Sequence, residues 1–214
     1  MGTITPEGLR NYSQALEAYN LHGGPVVLDP IGAGATAIRR SAVKTLLANG
    51  YFDVIKGNKG EILTLFGAVV HQKGVDSGLS SLNASEKADL VRDLAEREKN
   101  VVVMTGAVDY ISDGLRTYAV SNGHEYLGKI TGSGCVLGTI ISAALAVYTE
   151  DKLLPTLVGL LLLGFAAEKA AVREDVKGPG SFTPALIDTL YLICKATSPG
   201  DTQWLESAKV EKVI

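Results

Sequence analysis

The chain has 214 residues, 46% of them hydrophobic and 20% charged, with a formal net charge of −3. That size and composition fit one globular domain with a substantial core and exclude a disordered or fibrous chain. The small negative charge and scattered Lys and Arg residues offer no basic field for nucleic acid or anionic lipid, and two distant cysteines make neither a disulfide framework nor a zinc knuckle.

The chain opens "MGTITPEGLR", without a basic-then-apolar targeting segment. "PVVLD" (25–29) is a short apolar run closed by turn residues, which predicts a buried parallel strand. "FDVIKGN" (52–58) and "NVVVMTG" (100–106) repeat that design. Between them a helix is expected from about Glu61, after Gly57 and Gly60. A second helix is expected over 85–99, with Ser85 as its N-cap and Ala88, Leu90, Val91, Leu94 and Ala95 on one face. From 109 to 129, aromatic and β-branched residues are broken by "DG" and "NG", the signature of an antiparallel pair or triplet at a sheet edge. Two apolar helices follow Cys135, over about 136–148 and 157–171. The most apolar run, 153–167, contains Pro155 and stops at Glu168, too short to span a bilayer, so a cytoplasmic protein is expected. "KGPGSF" (177–182) breaks the second helix, and a last helix is expected from about Pro184 to Lys195, before a loose polar tail over 196–214.

Alternating strands and helices predict a doubly wound α/β domain over 1–195, with ligands bound beyond the carboxyl ends of the strands. Four places then stand out. Asp29 closes a strand, where a carboxylate is costly unless paired, and the glycines after it are either a phosphate-approaching loop or a plain turn. In "IKGNKGEI" (55–62), Lys56 can neutralise phosphate, and Asn58 and Glu61 are spaced to share a helix face, either around magnesium or as ordinary caps. Thr105 and Gly106 offer a hydroxyl and a bare amide at a strand end, with Asp109 able to orient the loop. In "ITGSGC" (130–135), Gly132 and Gly134 leave amides unshielded at a helix start, an anion site, and Cys135 is either a base or nucleophile there or a small buried filler. His22, His71 and His124 share no metal spacing and read as solvated loop residues.

In order, "PVVLDPIGAGAT", "IKGNKGEI", "VVVMTGAVDYISDG", "ITGSGC" and "GPGSF" resemble the hydroxyethylthiazole kinase family of the ribokinase-like superfamily, and especially the kinase half of the fungal bifunctional enzyme that also carries thiamine-phosphate pyrophosphorylase. The resemblance implies a three-layer α/β domain with a mostly parallel central sheet. It implies ATP- and Mg2+-dependent phosphorylation of the hydroxyl of 4-methyl-5-(2-hydroxyethyl)thiazole in thiamine biosynthesis. It implies Cys135 as catalytic base, Gly132 at the substrate, Lys56 and Thr105 on the ATP phosphates, and Asp29 and Glu61 at magnesium. Homotrimers with intersubunit sites are implied as well. Members usually carry arginine where this chain has Lys56, and "MGTITPEGLRNYSQALEAYN" resembles a segment well inside the family domain, so the first strands are expected to lie outside this chain. Another ribokinase-like small-alcohol kinase and a nucleotide-binding module of impaired activity are the alternatives.

Overall fold

The computed structural model describes residues 1–67 and 82–214; His71 lies outside the described residues. Six strands form one sheet in the order β1 (Val27–Leu28), β2 (Val54–Asn58), β3 (Val101–Thr105), β4 (Asp109–Ser112), β5 (Thr117–Val120) and β6 (Val210–Lys212). The first three are parallel, and β4, β5 and β6 each pair antiparallel with the strand before. The sheet is therefore mixed rather than mostly parallel: the "DG" turn returns the chain at once, and only a helical crossover allows a parallel neighbour.

The side-chain alternation of a strand sorts this sheet between two cores. Ile55, Val102, Met104 and Tyr110 face α1 (Pro6–His22), α2 (Ala37–Asn49), α3 (Lys59–Gly67) and α4 (Ala84–Glu98). Val54, Val101, Val103, Ile111 and Val120 face α5 (Ser133–Val147), α6 (Leu153–Ala171) and α7 (Pro179–Thr197). This is the expected three-layer arrangement. The two connections between parallel strands both run over the first face, and the helices after the hairpin cover the second. Fully buried Phe182, Ile141 and Leu145 anchor that second layer, each worth about 1.5–3 kcal/mol of apolar burial.

Local chemistry explains most element ends. Thr5 caps α1 by accepting from the Gly8 N–H, Pro6 occupies the first helical position, and Gly23 ends the helix at φ 72°. In α4 the cap is Asn83, not Ser85: Asn83 and Glu86 bond each other's backbone N–H reciprocally, and the five expected face residues are all buried. Helix α7 starts at Pro179, five residues before the expected Pro184, because Gly178-Pro179 supplies a cap and a first residue with no N–H to lose. Helix α6 begins at Leu153, earlier than expected, and is long and apolar enough to cross a membrane by length and composition. Some 67% of its apolar window is buried inside the fold, which makes it the central helix of the second layer.

The expected loose tail is a correction. Residues 203–207 form a 3-10 helix and 210–212 form β6, paired with β5. Trp204 packs on Phe165, with ring centres 6.0 Å apart, and its indole N–H donates to Thr197 Oγ1. Glu168 accepts from Lys209 Nζ, the Gly123 N–H and Asn122 Nδ2. The third antiparallel strand thus comes from the distant tail. Residues 125–128 form a 3-10 helix instead, and His124, expected as a solvated residue, caps it by accepting the Tyr126 N–H on Nδ1. His22 is exposed in the last turn of α1.

Candidate active site

The carboxyl ends of β1, β2 and β3 bring three of the expected residues to one rim. Asp29 follows β1, Lys56 lies within β2, and Thr105 ends β3. Val54 and Val103 face the α5 side, so Lys56 and Thr105, two residues on in their strands, do too. Lys56 Nζ donates to Asp29 Oδ2 at 2.7 Å; the lysine side chain is 4% exposed and the aspartate 18%. A buried ammonium is tolerated only with such a partner. Asp29 Oδ1 has no partner among the described residues.

The first turn of α5 closes on this pair. A methyl placed on Gly134 would stand 3.2 Å from Lys56 Nζ, so the ammonium lies against the helix start. Gly132, the N-cap, holds φ 98°, a conformation that favours glycine, and open space surrounds the position a Cβ would take. No side chain caps the turn, which leaves its first amides free for an incoming acceptor. Ser133 Oγ is turned away, donating to the Leu127 carbonyl. Cys135 is exposed on this turn, which removes the buried-filler reading. Uncapped amides, the positive end of a 15-residue helix and a lysine together make an anion-receptive pocket wall.

Asn58 and Glu61 act first as structure. The Asn58 N–H donates to Glu61 Oε2 at 2.8 Å, the Glu61 N–H donates to Asn58 Oδ1 at 3.0 Å, and the Gly32 N–H donates to Glu61 Oε1 at 2.8 Å. The pair starts α3 and also ties down the glycine loop that follows Asp29. That loop is further held by the Arg39 and Arg40 guanidiniums on the Ile31 and Gly34 carbonyls. Gly34 packs so closely that a methyl there would stand 2.8 Å from Thr64 Oγ1. Among the described residues no three His, Cys, Asp or Glu side chains gather as a metal cluster. Asp29 and Glu61 are two acids at this rim, each with acceptor capacity left.

On the other side of Lys56 stands Asp109, where β4 begins. Its Oδ1 accepts the Gly106 N–H at 2.8 Å. Burial pushes its carboxyl up to about 6, against the opposing pull of the Gly106 N–H and the Lys56 charge. Thr105 Oγ1 makes a long bond of 3.3 Å to the Gly57 carbonyl. The approach of Gly134 to Lys56 had no signal in the sequence beyond the glycines themselves.

A lysine–aspartate pair set against an uncapped helix start, beyond the strand ends of a three-layer α/β fold, is an arrangement suited to receiving a phosphate-bearing ligand. The fold is shared with a pyridoxal kinase from Staphylococcus aureus (TM-score 0.55, 19% identity) and a ribokinase-like superfamily protein from Enterococcus faecalis (TM-score 0.51, 15% identity), likenesses of architecture alone. The family follows from closer matches: the chain belongs to the hydroxyethylthiazole kinase family, whose model matches residues 1–196. It is 39% identical over 213 residues to the hydroxyethylthiazole kinase of Pyrococcus furiosus, covering 100% of this chain and 76% of that one. The solved hydroxyethylthiazole kinase structure from Pyrococcus horikoshii superposes with a TM-score of 0.84 at 39% identity, over 100% of this chain and 75% of the other. A probable thiamine biosynthetic bifunctional enzyme of Schizosaccharomyces pombe is 40% identical over 212 residues; the match covers 96% of this chain and spans 41% of that longer protein.

Proposed function

We propose that this chain transfers the γ-phosphoryl group of ATP to the hydroxyl of 4-methyl-5-(2-hydroxyethyl)thiazole. The observation that carries the reading is the Lys56 ammonium lying against the α5 turn that bears Cys135. Phosphoryl transfer depends mainly on positioning and on stabilising spread negative charge. Lys56 and the Thr105 hydroxyl receive the phosphates, and the free amides beside Gly132 face the group in flight. Cys135 Sγ takes the proton of the attacking hydroxyl as the new O–P bond forms and the bond to the ADP oxygen breaks. Asp29 and Glu61 are the residues that would hold Mg2+, an ion that takes one or two carboxylates and fills its shell with water and phosphate oxygens. Asp29 Oδ1, without a partner among the described residues, suits that donor set. Bound there, the ion would offset charge on the phosphates.

The family resemblance supports a homotrimer with sites between subunits, and exposed Ile187, Tyr191 and Leu192 on α7 offer apolar surface for packing. The bifunctional thiamine biosynthetic relative from Schizosaccharomyces pombe supports a link, by fusion or association, to a second activity, which the family resemblance makes thiamine-phosphate pyrophosphorylase. The test is direct. The purified protein, ATP, Mg2+ and the thiazole alcohol should give ADP and thiazole phosphate by mass spectrometry, with hydroxymethylpyrimidine and pyridoxal as competing acceptors. Folded protein that binds ATP yet phosphorylates another alcohol, or none, sinks the assignment; light scattering checks the trimer.

A further inference from the structure

Asp109 has no part in the chemistry above, yet it stands in the same row of groups. Across the sheet the order is Asp29 after β1, Lys56 on β2, Thr105 ending β3 and Asp109 starting β4. Met104 pairs with Tyr110, so the antiparallel register puts Asp109 directly beside Thr105. Ile111, two residues on, faces the α5–α6–α7 layer, and Asp109 therefore shares the face on which Lys56 meets α5.

A half-buried carboxylate costs free energy that a surface turn has no need to bear. Its partner here is the N–H of Gly106, the residue after Thr105. Among the described residues the Thr105 hydroxyl has just its long bond to the Gly57 carbonyl, so its direction depends on the turn that Asp109 closes. Burial raises the carboxyl to about 6, and the Lys56 charge reaches it, which places Asp109 inside the electrostatic field of the phosphate site.

We propose that Asp109 is a positioning residue for the nucleotide: through its hydrogen bond to the Gly106 N–H it fixes the Thr105–Gly106 strand end, so that the Thr105 hydroxyl meets the donor phosphates beside Lys56. The inference rests on the kinase reading, and it separates nucleotide binding from acceptor binding.

The test uses Asp109→Ala and Asp109→Asn in the full chain. Asn keeps an acceptor oxygen for Gly106; Ala does not. Losing one hydrogen bond from a charged acceptor predicts about a tenfold rise in KM for ATP in the Ala variant. A matching loss of affinity for AMP-PNP by titration calorimetry is expected, with KM for the thiazole alcohol unchanged. The Asn variant should keep both nucleotide values within about twofold of wild type. The inference is overturned if Ala binds AMP-PNP like wild type, if Asn loses as much as Ala, or if both substrates weaken together with the melting temperature. A wild type that binds no AMP-PNP overturns the kinase reading itself, whereas a wild type that binds it alongside an equally competent Ala variant overturns only the role of Asp109.

Discussion

Replacing Asp29 by Asn tests the pair that organises the site. The Lys56 side chain is 4% exposed, and among the described residues its contact with an opposite charge is Asp29 Oδ2 at 2.7 Å. Removing one partner of a buried ion pair costs about 3–5 kcal/mol, because the other charge is left without compensation. Asp29 is 18% exposed and Asp109 still reaches Lys56 with its field, so the lower end, about 3 kcal/mol, is expected. For a chain of this size that corresponds to a fall of about 6–12 °C in melting temperature. Lys56→Met leaves the more exposed partner and should cost less, about 1–2 kcal/mol. The double variant removes both charges of the pair and should lie within about 1 kcal/mol of Lys56→Met, giving a coupling of at least about 2 kcal/mol. Urea unfolding of the four proteins measures all of this. If Asp29→Asn costs under about 1 kcal/mol, or the single costs simply add, the pair is not coupled and the ammonium is not held as described.

Three further outcomes follow from particular contacts. Cys135→Ala should lower kcat about 100-fold with little change in KM for ATP, as expected if the proposed general base is lost while the uncapped amides stay; Cys135→Asp should recover part of it in the same steady-state assay. Burial pushes the Glu168 carboxyl up, but Lys209, the Gly123 N–H and Asn122 together outweigh it and hold it below its usual value of 4.5. Its stabilising effect is therefore present above about pH 4.5 and fades as pH falls through the lower folded value. The fluorescence of Trp204, the single tryptophan, should report release of the tail in acid, and Glu168→Gln should remove that step. Gly164→Ala would place a methyl 2.7 Å from the Asn122 carbonyl oxygen and 2.8 Å from its carbon; backbone cannot yield as a side chain can, so about 2–3 kcal/mol should be lost in urea unfolding.

The sequence was most legible where one periodicity governed one element. The buried face of α4 follows from a 3.6-residue repeat that nothing contradicts, and its cap was misplaced only because Ser85 and Asn83 are both good capping residues. Glu86, three residues after Asn83, decides between them. The strand-end rule led to Asp29, Lys56 and Thr105, since in open α/β sheets function gathers there whatever the local sequence. It could not show that Lys56 bonds Asp29 or rests on Gly134, because those contacts depend on how α5 returns across the sheet. Asn58 and Glu61 were ambiguous for a physical reason: the spacing that aims two side chains at an ion also closes a helix cap. β6 was illegible because three residues are too few for a period and its partner lies far back along the chain.

That distant pairing has a consequence for how the protein is made. The Lys209 N–H bonds Asn122 Oδ1 across 87 residues, and β6 then zips onto β5. During synthesis β5 emerges long before its partner, and its outer edge stays open while α5, α6 and α7 are being added. An unpaired edge is a template for association with other chains, and contacts of such long sequence separation form late. The nascent protein therefore passes through an interval, several seconds at typical elongation rates of about 5–20 residues per second, in which its second layer is nearly complete while β5 still lacks its neighbour.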